Sequence, residues 1–501
     1  MILRPQAGDI RNIGYYLGRI IFCFGITMFV PAAAGLFLFR ETVPVLDFLL
    51  GADTAVLSGL LLSRLCMRHG ELRAAQAMVV VSLSWLAAMV FGAIPLYLSG
   101  HYNSFLDTCF ETMSGFTTTG LTLVLDLDHM SRTHNLWRHL GPFIGGQGIA
   151  IVAVSFLVGG SSGAWKIYLG EARDEKLAPN VINTARLIWL ISIVYLVAGT
   201  AVMWLVGVSI GLAPDSALFH GMCIFMAGFD TAGFAPQSQN ILYYHSLPFE
   251  ISTIVFMVLG SLNFNLHYRI WKGNFREVWK NLETRTLFLS VLLVSLLVMA
   301  GLKHLGVYPV AVAMFRKGFF HVISAHTTTG YMTVYAGQFI RDWGDFALAG
   351  LVIAMGLGGC ACSTAGGIKM LRAGAICKAV TEDIKKLILP EHSVVVQKFY
   401  HIKTMFLDDR QVRNILIVTL GYLFLYGLGT LAGVWYGYPF LHALFESTSA
   451  AANVGLSCGI TDPGMPVPLK LVYIVEMWAG RLELMSVFAL FGFAAAFLKG
   501  R

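Results

Sequence analysis

Long apolar stretches dominate the chain, and a shorter, half-polar pattern recurs between them. The first two stretches, about 13–39 and 44–64, end in a basic turn, Arg64-Leu-Cys-Met-Arg68. Each reaches the roughly 20 residues that cross about 30 Å of hydrocarbon. After them one unit is used four times: a long apolar helix, a short half-apolar segment, a Thr/Gly-rich stretch and a second long helix. The first helices of the units span about 75–98, 186–208, 286–306 and 414–436. The second helices span about 137–160, 247–266, 342–372 and 467–498. The pattern predicts an all-α integral membrane protein with ten spanning helices, divided as 1–74, 75–165, 166–272, 273–390 and 391–501. The first division is an N-terminal helix pair and the other four are pseudo-symmetric repeats.

The short segments carry the chemistry. They read Phe110-Glu-Thr-Met-Ser-Gly-Phe-Thr-Thr-Thr-Gly120, Phe219-His-Gly-Met-Cys-Ile-Phe-Met-Ala-Gly-Phe-Asp-Thr-Ala-Gly233, Phe320-His-Val-Ile-Ser-Ala-His-Thr-Thr-Thr-Gly330 and Phe445-Glu-Ser-Thr-Ser-Ala-Ala-Ala-Asn-Val-Gly455. Each Phe precedes Glu or His, and a large apolar residue follows each Gly. Roughly ten residues of helix are too short to span. Non-helical backbone at membrane depth is tolerated only inside protein or beside water, so four such stretches imply a shared polar axis. The pattern therefore predicts helix–pore loop–helix repeats around one pore. Its filter turns are Thr118-Thr119-Gly120, Thr231-Ala232-Gly233, Thr328-Thr329-Gly330 and Asn453-Val454-Gly455. Carbonyls at such turns can replace the hydration shell of a monovalent cation. A single Thr-Thr-Gly would be read as a helix cap or packing feature, but four copies between membrane helices are hard to obtain that way. In the second copy Gly228 and Gly233 both compete. Thr231-Ala-Gly matches the other copies, which favours Gly233. Glu111 and Glu446, near the start of their short helices, either recruit cations at the mouth or favourably charge a helix N-terminus.

Charge sharpens the topology. Of 501 residues 56% are hydrophobic and only 13% charged, half the charged share of a soluble domain. The net charge of +7 could suggest nucleic acid. However, most Lys and Arg fall in alternate loops (64–73, 166–186, 269–285 and 369–413) and at the two ends. By the positive-inside rule these are cytoplasmic, with both termini inside, and nucleic acid is excluded as a partner. The stretch after Arg4 and Arg11 is too long for a signal peptide. The eight cysteines are scattered and form no disulfide framework. Cys360-Ala-Cys362 lacks further ligands at metal spacing and reads as packing.

Two features of the second helices are unusual. The third repeat contains Gly356-Leu-Gly358-Gly359-Cys360-Ala361-Cys362-Ser363-Thr364-Ala365-Gly366-Gly367. Five glycines here should break a helix at mid-membrane, since each costs about 1 kcal/mol relative to Ala. Broken membrane helices tend to line cavities, and a small-residue packing seam is the alternative. Arg481 lies within the last long helix, where an Arg costs roughly 2.5–3.5 kcal/mol and needs an interior partner. Carbonyls of the broken stretch are natural acceptors, with Glu483 and Glu476 as alternatives. Gly145-Gly-Gln-Gly148 in the first repeat reads as close packing.

On these residues the chain resembles the Trk/Ktr/HKT superfamily of potassium transporters, in particular the TrkH type, over nearly its whole length. The resemblance implies a potassium uptake subunit working as a homodimer in a bacterial inner membrane. Its glycine-rich loop, from Gly356 to Gly367, and Arg481 would form a gate under the filter. A cytosolic TrkA-type subunit, binding NAD or ATP through its own domains, would regulate it. This chain has no nucleotide fingerprint and needs no cofactor; potassium is the substrate. Asp230 and the long step in repeat two, His326 and Tyr331 in repeat three, and the threonine-free fourth turn are departures that bear on selectivity. Channel behaviour and ion-coupled symport both remain open. A membrane-embedded enzyme would need paired carboxylates or His ligands on facing helices. His220 and His321, at equivalent repeat positions, speak for architecture instead. A transport-inactive structural subunit is the third alternative.

Overall fold

A computed structural model describes residues 5–67, 72–149, 166–169, 181–390 and 397–499. Among the described residues the protein is all-α apart from one antiparallel hairpin, Lys398–His401 with Lys403–Phe406. Among the described residues, six helices are long and apolar enough to cross a membrane: Gly8–Phe39, Thr42–Leu65, Ala74–Leu98, Ile182–Ser209, Leu282–His304 and Asp409–Trp435. They correspond to the N-terminal pair and the first, outer helix of each repeat. Leu57, Leu61, Leu205, Leu296, Leu420 and Phe424 are exposed on them, as an apolar solvent requires.

Each outer helix leads into a short helix: Phe105–Phe116, Pro214–Phe229, Phe320–His326 or Phe440–Ala451. These lie in the middle of the molecule, and every residue of Asp107–Phe116 is buried, polar ones included. Ser104 Oγ caps the first of them by accepting from Asp107 N at 3.1 Å.

The second, inner helices depart from expectation. Continuous spans at 247–266 and 467–498 are not formed. The first ends at Ser261 and turns by 103° into Phe264–Trp271, and the second ends at Arg481 and turns by 110° into Met485–Lys499. In the former, Asn263 is extended and its side chain caps the next helix. In the latter, Glu483 and Leu484 adopt φ 48° and 68°. In repeat three the helix Gly344–Leu357 stops at the glycine-rich stretch and resumes as Met370–Ile388. In repeat one Arg132–Gln147 ends at Gly148, φ 98°; the remainder of the expected 137–160 helix lies outside the described residues. Among the described residues the inner helices of repeats two, three and four break and that of repeat one stops at Gly148, where the sequence marked only the third.

Three of the repeats share a contact just before the helix end. The last carbonyl of the short helix, at Phe116, Phe229 or Ala451, packs directly onto a glycine of the inner helix, Gly145, Gly260 or Gly480, where any side chain would overlap it. The close-packing reading of Gly145 is borne out in this contact.

Candidate functional site

The short helices end alike. Thr117 N, Asp230 N, Thr327 N and Ala452 N still donate to helical carbonyls at 2.9–3.0 Å. The next residues, Thr118, Thr231, Thr328 and Asn453, turn into the left-handed region at φ 56°, 53°, 55° and 56°. That conformation is an outlier for β-branched residues and costs of order 1–3 kcal/mol unless its surroundings impose it. Two residues on, Gly120, Gly233, Gly330 and Gly455 are left-handed as well, at φ 88°, 63°, 86° and 93°. The amides between are spent on the short helices. Thr119 N, Ala232 N, Thr329 N and Val454 N donate to Ser114, Ala227, Ser324 and Ser449 carbonyls at 2.8–2.9 Å. The turns' own carbonyls are left for other partners.

Those carbonyls meet the neighbouring repeats. A methyl group on Gly120 would overlap the Ala232 oxygen, on Gly233 the Thr329 oxygen, on Gly330 the Val454 oxygen, and on Gly455 the Thr119 oxygen. The four turns thus form a closed ring in cyclic order, with no room for a side chain at any glycine. Asn453 Nδ2 also joins the last repeat to the first, donating to Thr119 Oγ1 at 3.0 Å. Of the two candidates in repeat two, Gly233 is in the ring and Gly228 lies inside the short helix.

Counting back from the ring resets one equivalence. Glu111, His321 and Glu446 each lie nine residues before their glycine, and the matching residue of repeat two is Ile224. His220 sits one helical turn earlier, because that helix has 16 residues where the first and fourth have 12. His220 and His321 are therefore not equivalent. Glu111 and Glu446 are mid-helix and buried, away from any mouth or helix N-terminus. They strap down the segment leaving the ring, always at the twelfth residue on. Leu123 N donates to Glu111 at 2.9 Å, Thr333 N to His321 Nε2 at 3.2 Å, and Cys458 N to Glu446 at 2.9 Å. Glu111 also pairs with the buried Arg138 at 2.7 Å. In repeat two Asn240 substitutes, donating to the Gly233 carbonyl at 3.0 Å.

The loop of repeat three presses on one face of the ring. Thr364 Oγ1 bonds the Phe229 and Gly260 carbonyls at 3.0 and 2.9 Å, and Thr231 Oγ1 bonds Thr364 Oγ1 at 3.3 Å. Gly366 N donates to Thr328 Oγ1 at 2.7 Å. A methyl on Gly366 would lie 3.1 Å from Asn453 Cβ. Arg481 completes the contact with the fourth left-handed residue. It donates to Thr118 Oγ1 at 3.0 Å, to the Thr364 carbonyl at 2.6 Å, and to the Gly145 and Gly146 carbonyls at 2.8 and 3.2 Å. The expected partner, a carbonyl of the broken stretch, is present. Glu483 instead pairs with Arg372, and Glu476 accepts from Ser447 at 2.8 Å. Lys369 donates to the Ala365 carbonyl. Cys360 and Cys362 form no disulfide.

The family model described as TrkH, cation transport protein, matches residues 50–495. The chain belongs to the TrkH cation transport family. It is a multi-pass membrane transport protein, not an enzyme. An uncharacterized cation transporter of Methanocaldococcus jannaschii is 30% identical over 98% of this chain and 97% of its own. The Trk system potassium uptake protein TrkH of Vibrio parahaemolyticus is 27% identical over 96% and 98%. The crystal structure of the potassium transporter TrkH from Vibrio parahaemolyticus superposes with a TM-score of 0.81 at 25% identity, covering 96% of this chain and 98% of that one.

Sequence reasoning missed the Gly145 and Gly146 carbonyls as Arg481 acceptors within this TrkH-family site. A packing glycine and an exposed carbonyl at a helix break carry the same sequence signal. It also missed Asn240, which no motif marks.

Proposed function

We propose that the protein is a potassium uptake subunit whose ions cross the ring of four glycine turns and are held or released by the loop from Gly356 to Gly367 with Arg481. One observation carries this reading: each turn's glycine lies against the carbonyl of the next repeat, in closed cyclic order. Carbonyls at positions 119, 232, 329 and 454 can stand in for a cation's hydration. The short helices' C-terminal ends, with their partial negative charge, favour the same ion. Potassium, rather than another cation, is suggested by the names of the Vibrio relatives. An inside-negative potential supplies about 2.3 kcal/mol per charge per 100 mV, so uptake needs no hydrolysis.

The repeats are taken to divide at 75–165, 166–272, 273–390 and 391–501 after the helix pair 1–74. The basic loops favour cytoplasmic termini in a bacterial inner membrane. A homodimer under a TrkA-type nucleotide-binding subunit follows from the family resemblance.

Rubidium flux into proteoliposomes, with sodium and lithium as competitors, tests the ring. The wild type is expected to prefer rubidium and potassium. Gly120→Ser and Gly330→Ser overpack the ring by about 1–3 kcal/mol, lowering that preference about tenfold or more. Unchanged discrimination in both variants overturns the assignment.

A further inference from the structure

We propose that Glu283 is a positioning residue that latches the far side of the glycine-rich loop, and that the hairpin 398–406 seats this latch. The inference rests on the reading of that loop as the gate.

Glu283 stands in the first turn of the outer helix Leu282–His304, where Asn281 caps the helix. Its side chain is buried. One carboxylate oxygen accepts the backbone N–H of Ala361, in the middle of the loop. The residues on either side are held by repeat two: Cys360 N donates to the Ser261 carbonyl at 2.9 Å, and Phe264 N to the Cys362 carbonyl at 3.2 Å. Those are neutral backbone contacts. Glu283 is the side chain that adds a charge-assisted one, about twice as strong.

The second carboxylate oxygen faces His401 Nδ1 at 3.8 Å. His401 is buried and bonds Asn281 Oδ1 at 3.1 Å. Beside it, Tyr400 donates its hydroxyl to Glu277 at 2.8 Å. The hairpin therefore sets His401 against the carboxylate, with His401 anchored on the cap of the same helix and Tyr400 on the preceding helix Arg276–Lys280. Lifting it would admit water to Glu283, and a hydrated carboxylate holds the Ala361 N–H less tightly. A contiguous path leads from an exposed hairpin edge through Glu283 to a loop that touches the ring.

Cys362 supplies a readout independent of transport. It is a half-buried thiol, in no disulfide, one residue from the latched amide. Its rate of alkylation by a water-soluble maleimide, followed by peptide mass mapping in the full-length reconstituted protein, reports loop release. Basal rubidium flux is measured on the same vesicles. Glu283→Gln is expected to raise both about three- to tenfold, as a charge-assisted bond becomes neutral. Tyr400→Phe and His401→Ala should raise Cys362 labelling by a smaller factor. An unchanged Cys362 rate in Glu283→Gln, in protein that elutes as the wild type does, overturns the latch. Faster labelling with unchanged flux keeps the latch and overturns the gate reading beneath it. Faster labelling in Glu283→Gln but not in either hairpin variant overturns the role of the hairpin.

Discussion

Arg481 shows how one residue can join three separate segments. Its guanidinium places N–H groups on Thr118, Thr364, Gly145 and Gly146, reaching repeats one and three from repeat four. A planar fork with five donors can do this; an ammonium on a flexible stem cannot match the geometry. On the proposed reading, a positive charge against one face of the ring opposes a cation there while those bonds hold. Arg481→Ala is expected to raise basal rubidium flux several-fold. Arg481→Lys should fall closer to Ala than to wild type, because charge remains while the fork is lost. Flux at the wild-type level in both variants would remove Arg481 from the gate.

The elements divide into those that ran true to pattern and those that did not. Six long helices and four short ones announced themselves through length, apolarity and the step from Phe to Gly. The breaks in repeats two and four did not. Leu262 is as apolar as any helix interior, and 482–487 is apolar but for Glu483 and Ser486; at the first of these breaks a neighbour intervenes, since the loop amides of Thr364 and Cys360 take the Gly260 and Ser261 carbonyls. A tertiary contact of that kind leaves no local trace. Similarly, Glu111 and Glu446 looked like mouth or cap charges, because the short helices begin earlier than their aromatic markers. Their true work is to strap the chain leaving the ring. Glu446 alone accepts from Cys458 N, Ile460 N, Ser457 Oγ and Thr461 Oγ1 at 2.5–3.1 Å. Glu446→Ala strands several buried donors, each at about 1–3 kcal/mol. The expected outcome is a thermal-unfolding midpoint in detergent lower by several degrees, with weakened potassium-over-sodium discrimination. Retention of both would show the strap to be dispensable.

At the scale of the whole molecule, closure of the ring depends on repeat four returning to repeat one. Asn453 does this inside the ring, and at its rim the buried Lys470 reaches Asp107, 363 positions away, at 2.5 Å. Breaking a buried pair by removing one partner costs about 3–5 kcal/mol, more than removing both. Lys470→Met should therefore destabilise the protein more than the Asp107→Leu/Lys470→Met double variant, as read by thermal unfolding. A double variant as unstable as the single one would mean that the pair contributes little to closure.

Because all four walls are written in one polypeptide, they are free to differ. In a channel assembled from identical subunits, a codon change alters every quadrant at once, and a poor fit is multiplied by four. Here an asparagine can replace threonine in one quadrant, an extra helical turn can lengthen another, and a histidine can end a third, while the remaining quadrants keep their shape. The same independence lets a single quadrant supply the loop and another the arginine that meets it, a division of labour that strict fourfold symmetry would forbid.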